Sequence, residues 1–87
     1  MTERRVTVGH RLGLHARAAA RVVQLSNGYS SDIVLRRAEP EDEREADARS
    51  ILSLLFLAAG YGSTVVVRTD GVDETAAADS ICEYLKG

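Results

Sequence analysis

Residues 50–74 read SILSLLFLAAGYGSTVVVRTDGVDE, and the fold is decided there. SILSLLFLAA (50–59) predicts a short, very apolar helix with Ser50 as its N-cap. Gly60 and Gly62 are expected to end it. STVVVRT (63–69) is β-branched nearly throughout and predicts a strand. DGVDE is a turn leading to Asp73, the expected N-cap of a last helix over 74–86. The inner face of that helix is expected to be Ala77, Ala78, Ile81, Tyr84 and Leu85.

Working outward, RRVTV (4–8) alternates, with Val6 and Val8 on one side, and predicts a strand. From Ala16 to about Asn27 the period is helical, with Ala16, Ala19, Ala20, Val22, Val23 and Ser26 on a small-residue face. SDIVLRR (31–37) predicts a second strand, and READA (44–48) a short third one. The order βαββαβα predicts an α+β fold, a two-layer sandwich in which helices cover one face of an antiparallel sheet. No repeat, linker or second domain is visible, so one domain is expected over residues 1–87.

Composition narrows the function classes. Of 87 residues, 45% are hydrophobic and 28% charged, as in a globular chain. No apolar run approaches the ~18 residues that span a bilayer. MTERRVTV has no apolar signal core, and a cytoplasmic location without membrane insertion is expected. The single cysteine, Cys82, has no partner for a disulfide or a metal set, so neither a metal nor a cofactor is expected. Net charge is −2, yet residues 38–47 hold six acids and one base, leaving seven acids and ten bases elsewhere. That run, with Pro40, is expected to project as a solvated hairpin tip without a catalytic part. One Phe, three Tyr and no Trp offer few stacking platforms, which argues against a small RNA-binding module. No compact set of carboxylate, histidine and nucleophile suggests an independent acid–base enzyme.

The chemistry concentrates in GLHARAAARVV (13–23). His15 directly precedes the helix beginning at Ala16, where the first N–H groups lack partners and the helix dipole is positive. Such an end holds anions. A phosphoryl group on the His15 ring could turn back onto the Ala16 and Arg17 backbone N–H groups, and the Arg17 guanidinium could reach the same phosphate. A neutral imidazole is nucleophilic near neutral pH. Gly13 permits an unusual turn that exposes His15, Leu14 anchors the loop inward, and His10 reads as a plain loop residue.

GLHARAAARVV resembles the active-site segment of the histidine-containing phosphocarrier protein (HPr) family of the bacterial phosphoenolpyruvate:sugar phosphotransferase system. ADARSILSLLFLAAGYGSTVVVRTDGVDE resembles that family's central helix, last strand and turn, and the likeness covers essentially the whole chain. It implies an open-faced sandwich with a four-stranded antiparallel sheet and three helices on one face. It implies phosphorylation of His15 at Nδ1, with Arg17 supporting the phosphate. Enzyme I is the implied donor and the enzyme IIA domain of a sugar permease the implied acceptor. The protein would be a carrier that is consumed and regenerated, not a turnover enzyme, and a monomer. The implied docking patch includes Ile51, Leu52, Leu55 and Phe56; an apolar helix on one sheet cannot bury all its side chains. Ser50 matches the regulatory serine of many Gram-positive members, which implies HPr kinase/phosphorylase and a transcriptional regulator as further partners. The alternative within the family is a regulatory paralogue of a nitrogen, catabolite-repression or dihydroxyacetone pathway. Three features depart from the pattern. Ala18 stands where proline is usual, Ala58 where glycine is common, and the 38–47 loop is longer and more acidic.

Overall fold

The computed structural model describes residues 1–39, 41, 42 and 44–87. Its elements are β1 (Thr2–Thr7), α1 (Ala16–Ser26), β2 (Asp32–Arg37), β3 (Glu45–Asp47), α2 (Ile51–Leu57), β4 (Thr64–Asp70) and α3 (Glu74–Leu85). The strands form one antiparallel sheet in the order β1-β4-β2-β3. The strand richest in β-branched residues, β4, is central, paired to β1 through Val6–Val65 and to β2 through Leu35–Val67. Alternate residues of each strand point to one face. Val6, Ile33, Leu35, Ala46, Val65, Val67 and Thr69 are therefore buried beneath the helices, while Glu3, Arg5, Asp32, Glu45 and Asp70 are exposed. The α+β open-faced sandwich expected from the sequence is the fold observed.

Leu54 and Leu57 of α2, Ala18, Ala19 and Val22 of α1, and Ala77, Ile81 and Leu85 of α3 complete the core. Small residues on α1 and α3 let these helices approach the sheet and each other closely. The buried face of α1 is rotated from the one expected: Ala16 is exposed and Ala18 is fully buried. With its N-cap at His15, the helix starts with Ala16 on its outer edge, and positions 18, 19, 22 and 26 follow one stripe inward. Tyr84, placed on the inner face of α3, is half-buried and packs its ring against His10.

Two helix ends differ from expectation. The α2 helix stops at Ala58, before Gly60 and Gly62, with Ala58 itself left-handed (φ 54°, ψ 37°). Ala58 is the one non-glycine residue with positive φ among the described residues. Its Cβ crowds the following carbonyl, which costs about 1–2 kcal/mol and is what glycine avoids. Ala58 is exposed, so glycine there would lose no packing. Ala58→Gly is expected to raise stability by about 1 kcal/mol after the greater freedom of unfolded glycine is counted. Thermal melting checks this, and an unchanged or lower midpoint contradicts it.

Asp73 precedes α3 but makes no side-chain cap. Its carboxylate turns to the β2 side instead, accepting the Ser30 and Ser31 backbone N–H groups at 2.9 and 3.0 Å and the Ser31 hydroxyl. These bonds, the Ser31 hydroxyl first, hold the Asp73 carboxyl below its usual range. The neighbouring Glu74 accepts from the Met1 amine at 2.8 Å and from the Thr2 hydroxyl at 2.6 Å, which lower its pKa to about 2. Depressed carboxylates contribute stability that is complete above their unfolded values and is lost as pH falls through the folded ones. The melting midpoint is thus expected to be level between roughly pH 5 and 8 and to fall continuously toward pH 2. Asp73→Asn should flatten that acid limb while lowering the neutral plateau; an acid limb as steep as in the parent chain contradicts the assignment.

The acidic segment does not simply project. Glu39 and Asp42 form an isolated antiparallel bridge, and their carboxylates pair with Arg37 and Arg44. A solvated tip was expected because a count of charges does not show which acids Arg37 and Arg44 reach once the loop folds back. Pro40 and Glu43 lie outside the described residues.

Candidate functional site

The loop between β1 and α1 is fixed at three points. Gly9 accepts no side chain, because a Cβ there would overlap the Lys86 carbonyl at the end of α3, and its N–H donates to the Leu85 carbonyl at 2.9 Å. His10 was expected to be an ordinary loop residue. Instead its Nε2–H donates to the Tyr84 carbonyl at 2.6 Å, and its ring lies 4.6 Å from the Tyr84 ring. Leu14 is buried as expected, and its N–H donates to the Ala59 carbonyl at 2.8 Å. Between them Gly13 is left-handed at φ 68°, and a Cβ would lie 2.7 Å from the Ala59 carbonyl oxygen. The loop is therefore bonded to α3 on one side and to the chain just past α2 on the other.

This frame delivers His15 to the N-cap of α1 in extended conformation (φ −78°, ψ −179°). Its carbonyl accepts the Ala19 N–H at 2.8 Å, closing the first turn. Its side chain turns the same way: Nδ1 accepts the Arg17 N–H at 3.2 Å. A ring nitrogen that accepts carries no proton, so the neutral ring is protonated at Nε2 and has its Nδ1 lone pair over the helix end. The Ala16 and Ala18 N–H groups have no acceptor among the described residues. The ring is half-buried, and the Arg17 side chain is exposed without an ion pair or hydrogen bond among the described residues. The structure thus brings His15, Arg17 and the Ala16 and Arg17 N–H groups to one helix end. Ala18 is the third residue of the helix, and its N–H adds a donor that proline would remove.

The four patch residues lie on α2. Leu52 and Phe56 are 79% and 70% exposed, and Ile51 and Leu55 are exposed to a smaller degree, while Leu54 and Leu57 take the buried positions. The α1 and α2 helices pack against each other. Two further large apolar side chains, Leu12 and Tyr61, stand in solvent on the two loops that meet at Gly13 and Gly60. Sequence reading passed over both, and only their positions beside the two loop glycines marked them. Ser50 is the N-cap expected: its hydroxyl accepts the Ser53 N–H at 3.2 Å, and its carbonyl the Leu54 N–H at 3.0 Å. A groove of about 570 Å³ lies elsewhere and is lined by Asp32, Val34, Glu45, Asp47, Arg68 and Asp70. It is open and mixed in charge, and it holds none of the residues gathered at the α1 end. Among the described residues no helix is long and apolar enough to cross a membrane, and there is no cluster of three potential metal-ligating side chains.

Residues 2–87 match the PTS-HPr family, described as "PTS HPr component phosphorylation site". The chain is 43% identical to the phosphocarrier protein HPr of Cupriavidus necator, over 98% of this chain and 91% of that one. It is 40% identical to the phosphocarrier protein NPr of Shewanella violacea, over 95% and 87%. The crystal structure of the phosphocarrier protein HPr from Bacillus anthracis superimposes with a TM-score of 0.88 at 32% identity, covering 97% of this chain and 95% of that one. A match along nearly the full length, in sequence and in backbone, makes this chain a member of the HPr family of phosphocarrier proteins.

Proposed function

We propose that this chain carries a phosphoryl group on Nδ1 of His15, received from phosphorylated enzyme I and passed to enzyme IIA domains of sugar permeases. The observation that supports this most is the direction of the ring: Nδ1 faces the Arg17 N–H and accepts from it at 3.2 Å. In the forward step the Nδ1 lone pair forms the N–P bond as the donor's bond to phosphorus breaks, and that bond's electrons leave with the donor. The ring keeps its Nε2 proton. Nδ1 can then no longer accept, and the Arg17 N–H turns to a phosphoryl oxygen together with the N–H groups of Ala16 and Ala18. The Arg17 guanidinium, otherwise free among the described residues, adds charge-assisted bonds to the same group. The return step reverses each of these movements, so the protein is regenerated and acts as a carrier rather than as a turnover enzyme.

Ile51, Leu52, Leu55 and Phe56 form the apolar docking patch for both partners. Transfer in both directions requires brief contact, which suits an interface below about 1,200 Å² and a monomeric, cytoplasmic shuttle. Ser50 lies at the start of the patch helix, and a phosphate there would add about −1.5 to −2 charge beside the patch. Modification by HPr kinase/phosphorylase would therefore weaken docking of an acidic partner, and the same group could be read by a transcriptional regulator. The second reading is a regulatory paralogue that works mainly by binding other proteins. It draws on the likeness to Crh, the catabolite-repression HPr of Bacillus subtilis, but the intact His15 end favours transfer.

Incubation with enzyme I and phosphoenolpyruvate, followed by intact mass measurement, tests the reading. One added phosphate is expected, stable to alkali and labile to acid. Arg17→Ala should slow transfer roughly ten- to a hundredfold, since one charge-assisted contact is worth roughly 1.5–3 kcal/mol, with the melting midpoint unchanged. An unmodified parent chain contradicts the carrier reading, and an unchanged rate removes Arg17 from it.

A further inference from the structure

Two arginines, Arg37 at the end of β2 and Arg44 just before β3, close on the end of α2. Arg37 donates from Nη1 to the Leu57 carbonyl at 3.5 Å, and Arg44 from Nη1 to the Phe56 carbonyl at 3.0 Å. The last carbonyls of a helix lack intrahelical partners and sit at its negative end, so two guanidinium groups are well placed there. Asp42 joins the pair. It accepts from Arg44 at Nε (3.0 Å) and Nη2 (2.9 Å), and it lies 3.6 Å from Nη1 of Arg37. Glu39 takes the other edge of Arg37 at 2.9 and 2.7 Å.

The two arginines differ in what they present. The Arg37 side chain is 18% exposed and is spent on the clamp, whereas that of Arg44 is 40% exposed. The Arg44 guanidinium also lies over the Phe56 ring, 5.5 Å from its centre, in cation–π contact. Phe56 is a member of the exposed apolar patch. A partner residue seated on Phe56 therefore meets a guanidinium at its edge. The patch thus carries an arginine at its Phe56 edge, although the loop beside it is the most acidic part of the sequence. Its acids Glu39 and Asp42 are turned onto its own arginines.

We propose that Arg44 is a specificity-determining residue of the docking surface: held on Phe56 by Asp42, it selects protein partners that present a carboxylate at the edge of an apolar docking face. The proposal rests on the carrier reading above. Charges at the rim of an interface act mainly on the rate of encounter and its salt dependence, and they penalise partners of like charge. Arg44 therefore affects how strongly a partner is held before transfer and leaves the transfer step at His15 alone.

The test is steady-state phosphotransfer from phosphoenolpyruvate through the enzyme I encoded by the same genome, with this chain as the varied substrate. Arg44→Gln is expected to raise KM about fivefold at low salt, to leave kcat within about twofold, and to make KM less dependent on salt. Arg44→Lys loses the planar fork but keeps the charge, and should restore much of the lost affinity. If Arg44 only braced α2, both variants would lose the fork and raise KM equally. That result overturns the proposal, as does a KM for Arg44→Gln equal to the parent value at low salt. Either leaves the carrier reading standing, because the parent chain is still phosphorylated. Failure to phosphorylate the parent chain removes both.

Discussion

His15→Asn is expected to abolish phosphoryl transfer and to leave the fold in place. Asparagine is among the best N-cap residues, so the Arg17 N–H that now meets Nδ1 at 3.2 Å keeps an acceptor, and the first turn stays closed by the Ala19 N–H. A carboxamide nitrogen has no free lone pair with which to form an N–P bond. The variant should show no added phosphate by intact mass after exposure to enzyme I and phosphoenolpyruvate. Its melting midpoint should stay within about 4 °C of the parent, the shift for roughly 0.5 kcal/mol in a domain of this size. A phosphate on this variant that is again acid-labile would place the acceptor elsewhere. A collapsed fold would show that the ring contributes far more than a cap.

Gly13→Ala should destabilise the fold strongly, because a methyl group there meets both backbone strain and a backbone clash. At φ 68° an L side chain pays the left-handed cost of about 1–2 kcal/mol. The new Cβ would also lie 2.7 Å from the Ala59 carbonyl oxygen and 2.8 Å from the Gly60 Cα, both backbone atoms. Neither can swing aside, so the loop itself must move, at a further cost of about 1–3 kcal/mol. The total, about 2–5 kcal/mol, corresponds to a fall of roughly 8–40 °C in melting midpoint. Moving the loop also stretches the Leu14 N–H bond to Ala59 and shifts His15 on its helix end. Phosphotransfer below the new midpoint should therefore slow as well. Melting within about 2 °C of the parent would mean that the left-handed backbone at this position does not require glycine.

The fold was legible because each element carries a local signal that agrees with its packing. The valines of β4 fill the centre of the sheet, and Ser50 caps α2 as its position suggests. The histidine at a helix start was equally legible, since the anion-binding property of that end belongs to the backbone. What escaped was set by contacts between segments distant in sequence. Asp73 looks like a cap for α3 until Ser31, 42 residues away, takes its carboxylate. His10 looks idle until the end of α3 arrives beside it. Gly60 and Gly62 look like the stop of α2, but α2 must turn at Ala58 so that the Ala59 carbonyl can meet Leu14. The acidic segment looked solvated because pairing by Arg37 and Arg44 depends on how the loop folds back, which charge counting does not reveal.

The central claim is that the Nδ1 of His15 bears the phosphate against the free amides of α1. Nuclear magnetic resonance of the uniformly 15N-labelled chain, recorded before and after phosphorylation, tests it most directly. The account predicts that phosphorus coupling appears on the ring nitrogen Nδ1 and that the amide protons of Ala16, Arg17 and Ala18 move downfield together. Coupling on Nε2 instead, or three amide protons that stay where they were, would contradict it.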